Sequence, residues 1–255
     1  PSIRYGKTPE PETPYQRAYA DAHYPQGILR YMKDVGLLTE RLTLAHCVWA
    51  RPDELDLIAE AGATISVNTS SNLALRSGIA PVAAMVKAGF RLAIGIDGQA
   101  FDEDDDLLRE MRLVWSLHAG WGFDKALPPE RILEAVLAEG HRTLNAPATG
   151  RIAPGAPADL AVIDRKALDD DTLMDVEPLE LLFARASARH LKETLVAGRT
   201  VVRDGRPTGI DFDALQAELR AQLRAGIAAR DGFRRILPEV EAALAAHFAD
   251  RAGCC

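Results

Sequence analysis

The sequence predicts an α/β fold built on a parallel sheet. Between residues 41 and 118, a short apolar strand is followed by an amphipathic helix three times in succession. This βαβαβα order requires parallel strands joined by right-handed crossovers. The strands are apolar almost throughout, which is typical of strands buried on both faces in a barrel or a doubly wound sheet.

The three strand–helix units have recognisable start and stop signals. The first strand leads into a helix that Pro52 and Asp53 open and Gly62 closes, because proline is favoured at the first helical position and glycine just after the last. The second and third strands lead into helices through longer polar loops. The sequence predicts three adjacent strands in chain order, RLTLAH (41–46), ATISVN (63–68) and FRLAIGID (90–97).

The acidic run DEDDD at 102–106 stands directly before the helix LLREMRL. A metal site is one interpretation of such a cluster. Acidic residues at a helix start, however, accept hydrogen bonds from free N–H groups and interact favourably with the helix dipole. We therefore interpret the run as a helix start.

The pattern changes after the third unit. Residues 128–145 read as a helix opened by prolines, and 150–164 as a Gly/Pro-rich turn followed by a strand. Residues 191–206 form two short strands around the dipeptide Ala-Gly, which predicts a hairpin. From Asp211 to about Asp250 the composition predicts a helical tail, with a break near Gly232 to Pro238.

Each of the three parallel strands ends in a polar residue, namely His46, Asn68 and Asp97. A single histidine in an apolar run is often a core residue with its hydrogen bonds satisfied, and a single aspartate is often a helix cap or turn residue. The carboxyl ends of parallel strands meet at one edge, where α/β proteins place their chemistry. Three polar residues in register therefore favour an active site.

Four ordered motifs resemble those of the amidohydrolase superfamily, specifically its cytosine deaminase-like branch of aminohydrolases and chlorohydrolases. The resemblance covers about residues 12–206 and is carried by AHCVWA, NTSSNLALRSGIAPV, IGIDGQAFDEDDDLLREMRL and GRIAPGAPADLAVID. It implies a TIM-type (β/α)8 barrel with a small β-sandwich, binding zinc or iron. Mapped onto that fold, the chain corresponds to barrel strands 6–8 with their helices, the C-terminal part of the sandwich and a helical tail.

The resemblance also implies roles for individual residues. Asp97 matches the strand-8 aspartate, a metal ligand and the base for the nucleophilic water. His46 matches the strand-6 histidine, which polarises the substrate or leaving group, and Glu12 matches the glutamate that helps protonate the substrate. Asn68, Ser70, Ser71 and Asn72 match the loop after strand 7, so Asn68, Ser71 and Asn72 are predicted to contact or position the substrate.

The chain departs from the family pattern at the other metal ligands. It has no HxH motif, and Pro9 stands three residues before Glu12, where the family has a histidine ligand. We therefore expect the C-terminal portion of a longer enzyme. The predicted divisions are 1–146 for the barrel part, 147–208 for the sandwich remnant and 209–255 for the helical tail.

The predicted function is metal-dependent hydrolysis of carbon–nitrogen bonds other than peptide bonds, deaminating or dechlorinating a small heterocyclic substrate through a metal-activated water. The zinc or iron is expected to be weakly bound or absent in this chain, which should be inactive alone. Two alternatives are a non-catalytic remnant that binds a partner and a metal-independent module that binds a heterocycle.

Composition excludes several partner classes. The formal net charge of -7, with acidic and basic residues mixed along the chain, provides no field that would attract nucleic acid or an anionic membrane. No apolar run approaches the roughly 20 residues of a membrane span, and the first residues do not resemble a signal peptide. We expect a cytoplasmic location and leave homo-oligomerisation open.

Overall fold

The computed structural model of the chain describes residues 27–98, 104–120, 123–146, 150–229 and 231–249. These residues form two compact units, 28–205 and 206–249. Among the described helices, none combines the length and the hydropathy that a membrane span requires. The first unit contains three parallel and three antiparallel strands, and the predicted three-part division of the chain stays a prediction.

The first unit begins with three helix–strand alternations. Its elements up to residue 118 are α1 (Ile28–Asp34), β1 (Thr43–Ala45), α2 (Pro52–Ala61), β2 (Thr64–Val67), α3 (Thr69–Ala74), α4 (Val82–Lys87), β3 (Arg91–Ile94) and α5 (Leu107–His118). The second half of the unit contains α6 (Pro129–Glu134), a π-helical segment (Ala135–Glu139), α7 (Gly140–Thr143), β4 (Leu160–Ile163), α8 (Arg165–Leu168), α9 (Pro178–Arg185), a 3₁₀ turn (Ala188–His190), β5 (Leu191–Val196) and β6 (Arg199–Arg203).

The first sheet confirms the predicted strand order. Its order is β1-β2-β3 and both pairings are parallel, with Leu44 opposite Ile65 and Ile65 opposite Leu92. In β2, Thr64, Ile65 and Val67 are all buried, so both faces of the strand are covered. Within the part of the chain that the structure describes, β1 has β2 as its one partner and forms an open edge.

The core lies between this sheet and its helices. Ile58, Ile65, Val67 and Val114 have no exposed surface, and Met85 is 1% exposed. These residues come from α2, α4, α5 and the central strand, so each helix contributes its apolar stripe to one cluster. This cluster holds the carboxyl ends of the three strands at one edge.

The helix boundaries follow the predicted signals. Pro52 is the first residue of α2, and Gly62 ends it in the left-handed conformation with φ +66°. Asp106 caps α5, because its Oδ1 accepts hydrogen bonds from the backbone N–H groups of Leu108 and Arg109. Its Oδ2 accepts from Ala188 N at 2.7 Å, which joins the start of α5 to the 3₁₀ turn. The helix-start interpretation of the acidic run is confirmed for Asp106.

The antiparallel strands β4, β5 and β6 also match the prediction. β4 pairs with β5 and β5 pairs with β6. Ala197 and Gly198 connect β5 to β6 with φ +48° and +76°, respectively, so both central residues of this two-residue turn have positive φ, as in the tight turns typical of hairpins.

The second unit contains a short strand, β7 (Arg206–Pro207), and two long helices, α10 (Phe212–Ala229) and α11 (Asp231–Ala249). The helical tail is confirmed. The break predicted near Gly232 to Pro238 is wrong, because both residues lie inside α11. A proline inside a helix removes one hydrogen bond and costs about 3 kcal/mol, which the other turns of a 19-residue helix offset here.

Candidate active site

The three polar residues predicted at the strand ends lie at one edge of the parallel sheet. His46 directly follows β1, Asn68 directly follows β2, and Asp97 lies three residues beyond β3. The side chains of His46 and Asp97 converge, with 3.7 Å between His46 Nε2 and Asp97 Oδ2. These side chains are 35% and 31% exposed, respectively, so a ligand can reach both.

The backbone is unusual at both members of this pair. His46 has φ +65° and Asp97 has φ +64°, a region that residues other than glycine rarely occupy. At His46 the Cys47 N–H donates to Ala45 O at 2.8 Å, so the chain makes a three-residue γ-turn centred on the histidine. Left-handed residues cost about 1–2 kcal/mol each and cluster at functional sites. With these backbone conformations, the two side chains face each other at the sheet edge.

Helix α3 supplies hydrogen-bond partners for both side chains. Ser71 Oγ donates to Asp97 Oδ2 at 2.6 Å, and His46 Nδ1 donates to Asn72 Oδ1 at 2.7 Å. Ser71 has no exposed surface and Asn72 is 2% exposed, so water does not compete for these bonds. The first turn of α3 therefore fixes the orientation of the exposed pair.

The hydrogen bond to Asn72 determines which ring nitrogen of His46 faces the site. Because a carbonyl oxygen can only accept, Nδ1 donates this bond and Nε2 is the ring atom that faces the Asp97 carboxylate. An imidazole nitrogen and a carboxylate oxygen 3.7 Å apart can both contact one bound molecule, so the arrangement suits proton transfer to and from it.

Asn68 is held by backbone atoms at the same edge. Its amide nitrogen donates to Gly95 O and Val67 O at 3.2 Å each, and the residue is 5% exposed. A Cβ at Gly95 would lie 2.5 Å from this amide, so only glycine leaves room for it. These contacts join β2 to the loop after β3. The predicted contacts of Asn68, Ser71 and Asn72 with a substrate stay predictions.

Glu110 organises the site and was missed by the sequence analysis. Its Oε1 accepts from the N–H groups of Thr69 at 2.6 Å and Ser70 at 3.1 Å, so a side chain from α5 caps α3. Glu110 is 2% exposed and shares the buried face of its helix with Met111 and Val114. A charged residue within an apolar helix stripe was the available signal, because buried carboxylates need partners.

The described residues do not assemble a complete metal site. Asp97 and His46 are the donors at this edge, and the described part of the chain contains no group of three His, Cys, Asp or Glu residues placed to hold an ion. A zinc site usually needs about three protein ligands. The neighbouring Cys47 adds none, because burial and the charge of Glu54 raise its thiol pKa to about 11 and keep it protonated. Glu12 lies outside the described residues.

The fold and this edge define a parallel α/β protein with its polar site at the carboxyl ends of the strands. The model of the amidohydrolase family matches residues 12–201, and the chain belongs to that family.

Several relatives in this family are deaminases by name. A 5-methylthioadenosine/S-adenosylhomocysteine deaminase of Nitratidesulfovibrio vulgaris is 35% identical over 82% of this chain and 47% of its own length. A 5'-deoxyadenosine deaminase of Methanosarcina barkeri is 31% identical over 74% of this chain and 43% of its own length. The chain thus spans about half the length of the curated relatives it matches.

Solved structures share the fold of this chain. A zinc-bound adenosine deaminase from Xanthomonas campestris superposes with a TM-score of 0.76 and 32% identity, covering 86% of this chain and 49% of that one. A zinc-bound atrazine chlorohydrolase from Arthrobacter aurescens superposes with a TM-score of 0.71, covering 82% of this chain and 47% of that one. At 23% identity, the second likeness concerns the fold alone.

Proposed function

We propose that this chain contributes His46 and Asp97 to the active site of an aminohydrolase that removes the amino group from the adenine ring of a nucleoside. In this proposal β1, β2 and β3 are strands 6, 7 and 8 of a (β/α)8 barrel, and β4, β5 and β6 belong to the small β-sandwich. The predicted divisions 1–146, 147–208 and 209–255 are part of the same proposal.

One observation carries the proposal: the accessible His46–Asp97 pair, 3.7 Å apart, is oriented by buried partners. Deamination needs one group that removes a proton from water and another that stabilises the charge developing on the substrate. A carboxylate and an imidazole at this distance provide both. Their partners Ser71 and Asn72 lock the two rotamers, so the pair is preorganised.

The proton inventory follows from these positions. The water oxygen bonds to the ring carbon that carries the amino group, and Asp97 accepts the proton that the water loses. The protonated Nε2 of His46 donates a hydrogen bond to the developing charge. Glu12 is proposed to protonate the ring nitrogen, as the resemblance implies. Asp97 then returns its proton to the amino nitrogen, the carbon–nitrogen bond breaks and ammonia leaves. The proton of the added hydroxyl passes to the Glu12 carboxylate as the ring carbonyl forms.

The relatives favour deamination over dechlorination and suggest an adenine nucleoside as the substrate. The relatives with 31–35% identity cited above have names that specify deamination of adenosine derivatives. The chlorohydrolase is only 23% identical and informs the fold alone. Among the small heterocycles that the sequence suggests as substrates, an adenosine-type nucleoside is therefore the first to test.

We further propose that a divalent metal, zinc or iron, belongs to the complete site but is weakly bound or absent in this chain. Two neighbouring donors, Asp97 and His46, are fewer than a catalytic zinc usually has. Ligands from residues matching the other half of the relatives would complete the site. The alternative, a non-catalytic subunit that binds a partner, predicts that a complete site never forms.

The test combines this chain with the N-terminal half of the Nitratidesulfovibrio vulgaris relative, which covers the strands that the chain does not match. Ammonia release from 5'-methylthioadenosine and the metal content of the purified species are measured together. We expect neither activity nor a stoichiometric metal in the chain alone, and both in the complex.

Three outcomes would count against the proposal. A stable complex that holds no stoichiometric metal and releases no ammonia would favour the non-catalytic subunit. Heterocycle binding by the chain alone that a chelator leaves unchanged would favour the metal-independent binding module. Full activity of the chain without the second half would show that the remaining ligands lie within this chain.

A further inference from the structure

The two tail helices carry apolar side chains that are exposed in the part of the chain that the structure describes. On α11, Phe233, Ile236, Val240 and Leu244 are 60%, 50%, 40% and 51% exposed, respectively. Their spacing of three or four residues places them in one stripe along the helix. On α10, a leucine or isoleucine recurs every four residues from 215 to 227, and each is about half exposed. The matched family model ends at residue 201, so this surface lies beyond it.

Charged residues beside the α11 stripe are segregated by sign. Arg234 and Arg235 lie in the N-terminal half of α11, and Glu239 and Glu241 follow in the middle. The first turn of α11 holds Asp231, as the helix dipole favours. None of the four side chains forms an ion pair with another side chain that the structure describes. Ion pairs within the described structure therefore do not account for the order.

Arg234 and Glu241 are seven residues apart, which is two helical turns, so they lie on the same side of α11. When two copies of this helix run antiparallel around an axis near Leu237 and Pro238, Arg234 of each copy faces Glu241 of the other. The same axis passes close to the middle of the apolar stripe, so the two stripes also meet.

We propose that α11 is a self-association surface, in which the apolar stripe packs antiparallel against the same stripe of a second copy of this chain. The occupant is a second copy because the charges of α11 are complementary to those of α11 itself. This kind of two-fold interface uses the same patch on both partners. The exposed stripe of α10 adds apolar surface to the same unit.

The test is sedimentation velocity of the full chain under reducing conditions over a range of concentrations. We expect the wild-type chain to dimerise. Val240→Asp places two carboxylates in the apolar contact and should raise the dissociation constant at least about a hundredfold. Glu241→Arg turns both ion pairs into arginine–arginine contacts and should raise it about tenfold, with less effect at high salt.

The double variant Arg234→Glu with Glu241→Arg is the matched control. It reverses both charges, so an antiparallel pair regains its two ion pairs and the dimer should return to near wild-type strength. All three positions are exposed, and circular dichroism checks that each variant keeps its helices. A monomeric wild-type chain would overturn the proposal. A dimer that Val240→Asp and Glu241→Arg leave unchanged would also overturn it, because association would then use another surface.

Discussion

The edge of the parallel sheet and the helical tail use polar residues in opposite ways. At the sheet edge, Glu110, Ser71 and Asn72 are at most 2% exposed, and each makes a hydrogen bond to another residue of the site. In the tail, Glu218 is exposed and accepts a hydrogen bond from Gln222, four residues further along the same helix. One region is organised by contacts between distant residues, and the other by contacts within a helix.

This difference shows which interactions hold the side chains of each region in place. A buried hydrogen bond to a charged group holds its partners in place. Breaking it leaves buried N–H or O–H donors without an acceptor, and water cannot reach them to replace it. A bond on an exposed helix surface contributes little, because water replaces it. The site is therefore preorganised by the chain itself, whereas the tail helices present their surfaces to another molecule.

Removal of Glu110 should have the largest effect on stability. Glu110→Ala leaves the buried N–H groups of Thr69 and Ser70 without their acceptor, and we expect it to lower the free energy of unfolding by about 3–4 kcal/mol. Urea denaturation followed by tryptophan fluorescence measures this. All three tryptophans, at 49, 115 and 121, precede the tail in sequence and so report on the site-bearing part of the chain.

The matched variant is Glu218→Ala in α10, which removes an exposed glutamate from a helix. It should change the free energy of unfolding by less than about 0.5 kcal/mol. Equal effects of the two substitutions would contradict this contrast between the two regions, because Glu110 would then contribute no more to the free energy of unfolding than a surface residue does.

A pH effect at His118 should be the next in size. This residue ends α5, is 6% exposed, and its burial lowers its pKa from 6.5 to about 4. The unfolded chain binds a proton below about pH 6.5 while the folded chain does not, so this contribution to stability is complete above that pH and is lost as pH falls to 4. The loss amounts to at most about 3 kcal/mol.

His118→Leu should remove this part of the pH dependence. The unfolding free energies of wild type and variant are measured by urea denaturation from pH 7 to pH 4. The value for the wild type should fall relative to that of the variant as pH falls, because protonation of His118 in the unfolded state destabilises the wild type alone. A difference that stays constant over this range would show that His118 is protonated equally in both states.

Local patterns predicted much of the fold. The order of β1, β2 and β3, the glycine that ends α2, the cap at Asp106 and the hairpin at 197–198 all follow from signals within a few residues. The π-helical segment and the continuation of α11 through Gly232 and Pro238 did not. Each depends on how several turns of one helix compensate for the loss or displacement of one or two hydrogen bonds.

The site was predictable in its residues but not in its geometry. The strand ends placed His46 and Asp97 at one edge, since parallel strands put their carboxyl ends together. The contact of Glu110 with α3 joins residues about 40 positions apart and depends on tertiary packing. The left-handed backbone at His46 and Asp97 could not be anticipated either, because neither residue type requires it.

The most direct test of the proposed role of this pair is Asp97→Asn in the chain combined with the N-terminal half of the Nitratidesulfovibrio vulgaris relative. The amide keeps the size of the side chain but cannot accept the proton of the attacking water, so ammonia release should fall about a thousandfold or more. Asp56→Asn, an exposed carboxylate on α2, is the control and should keep full activity. Retention of activity by Asp97→Asn, in a complex with the wild-type melting temperature, would contradict the account.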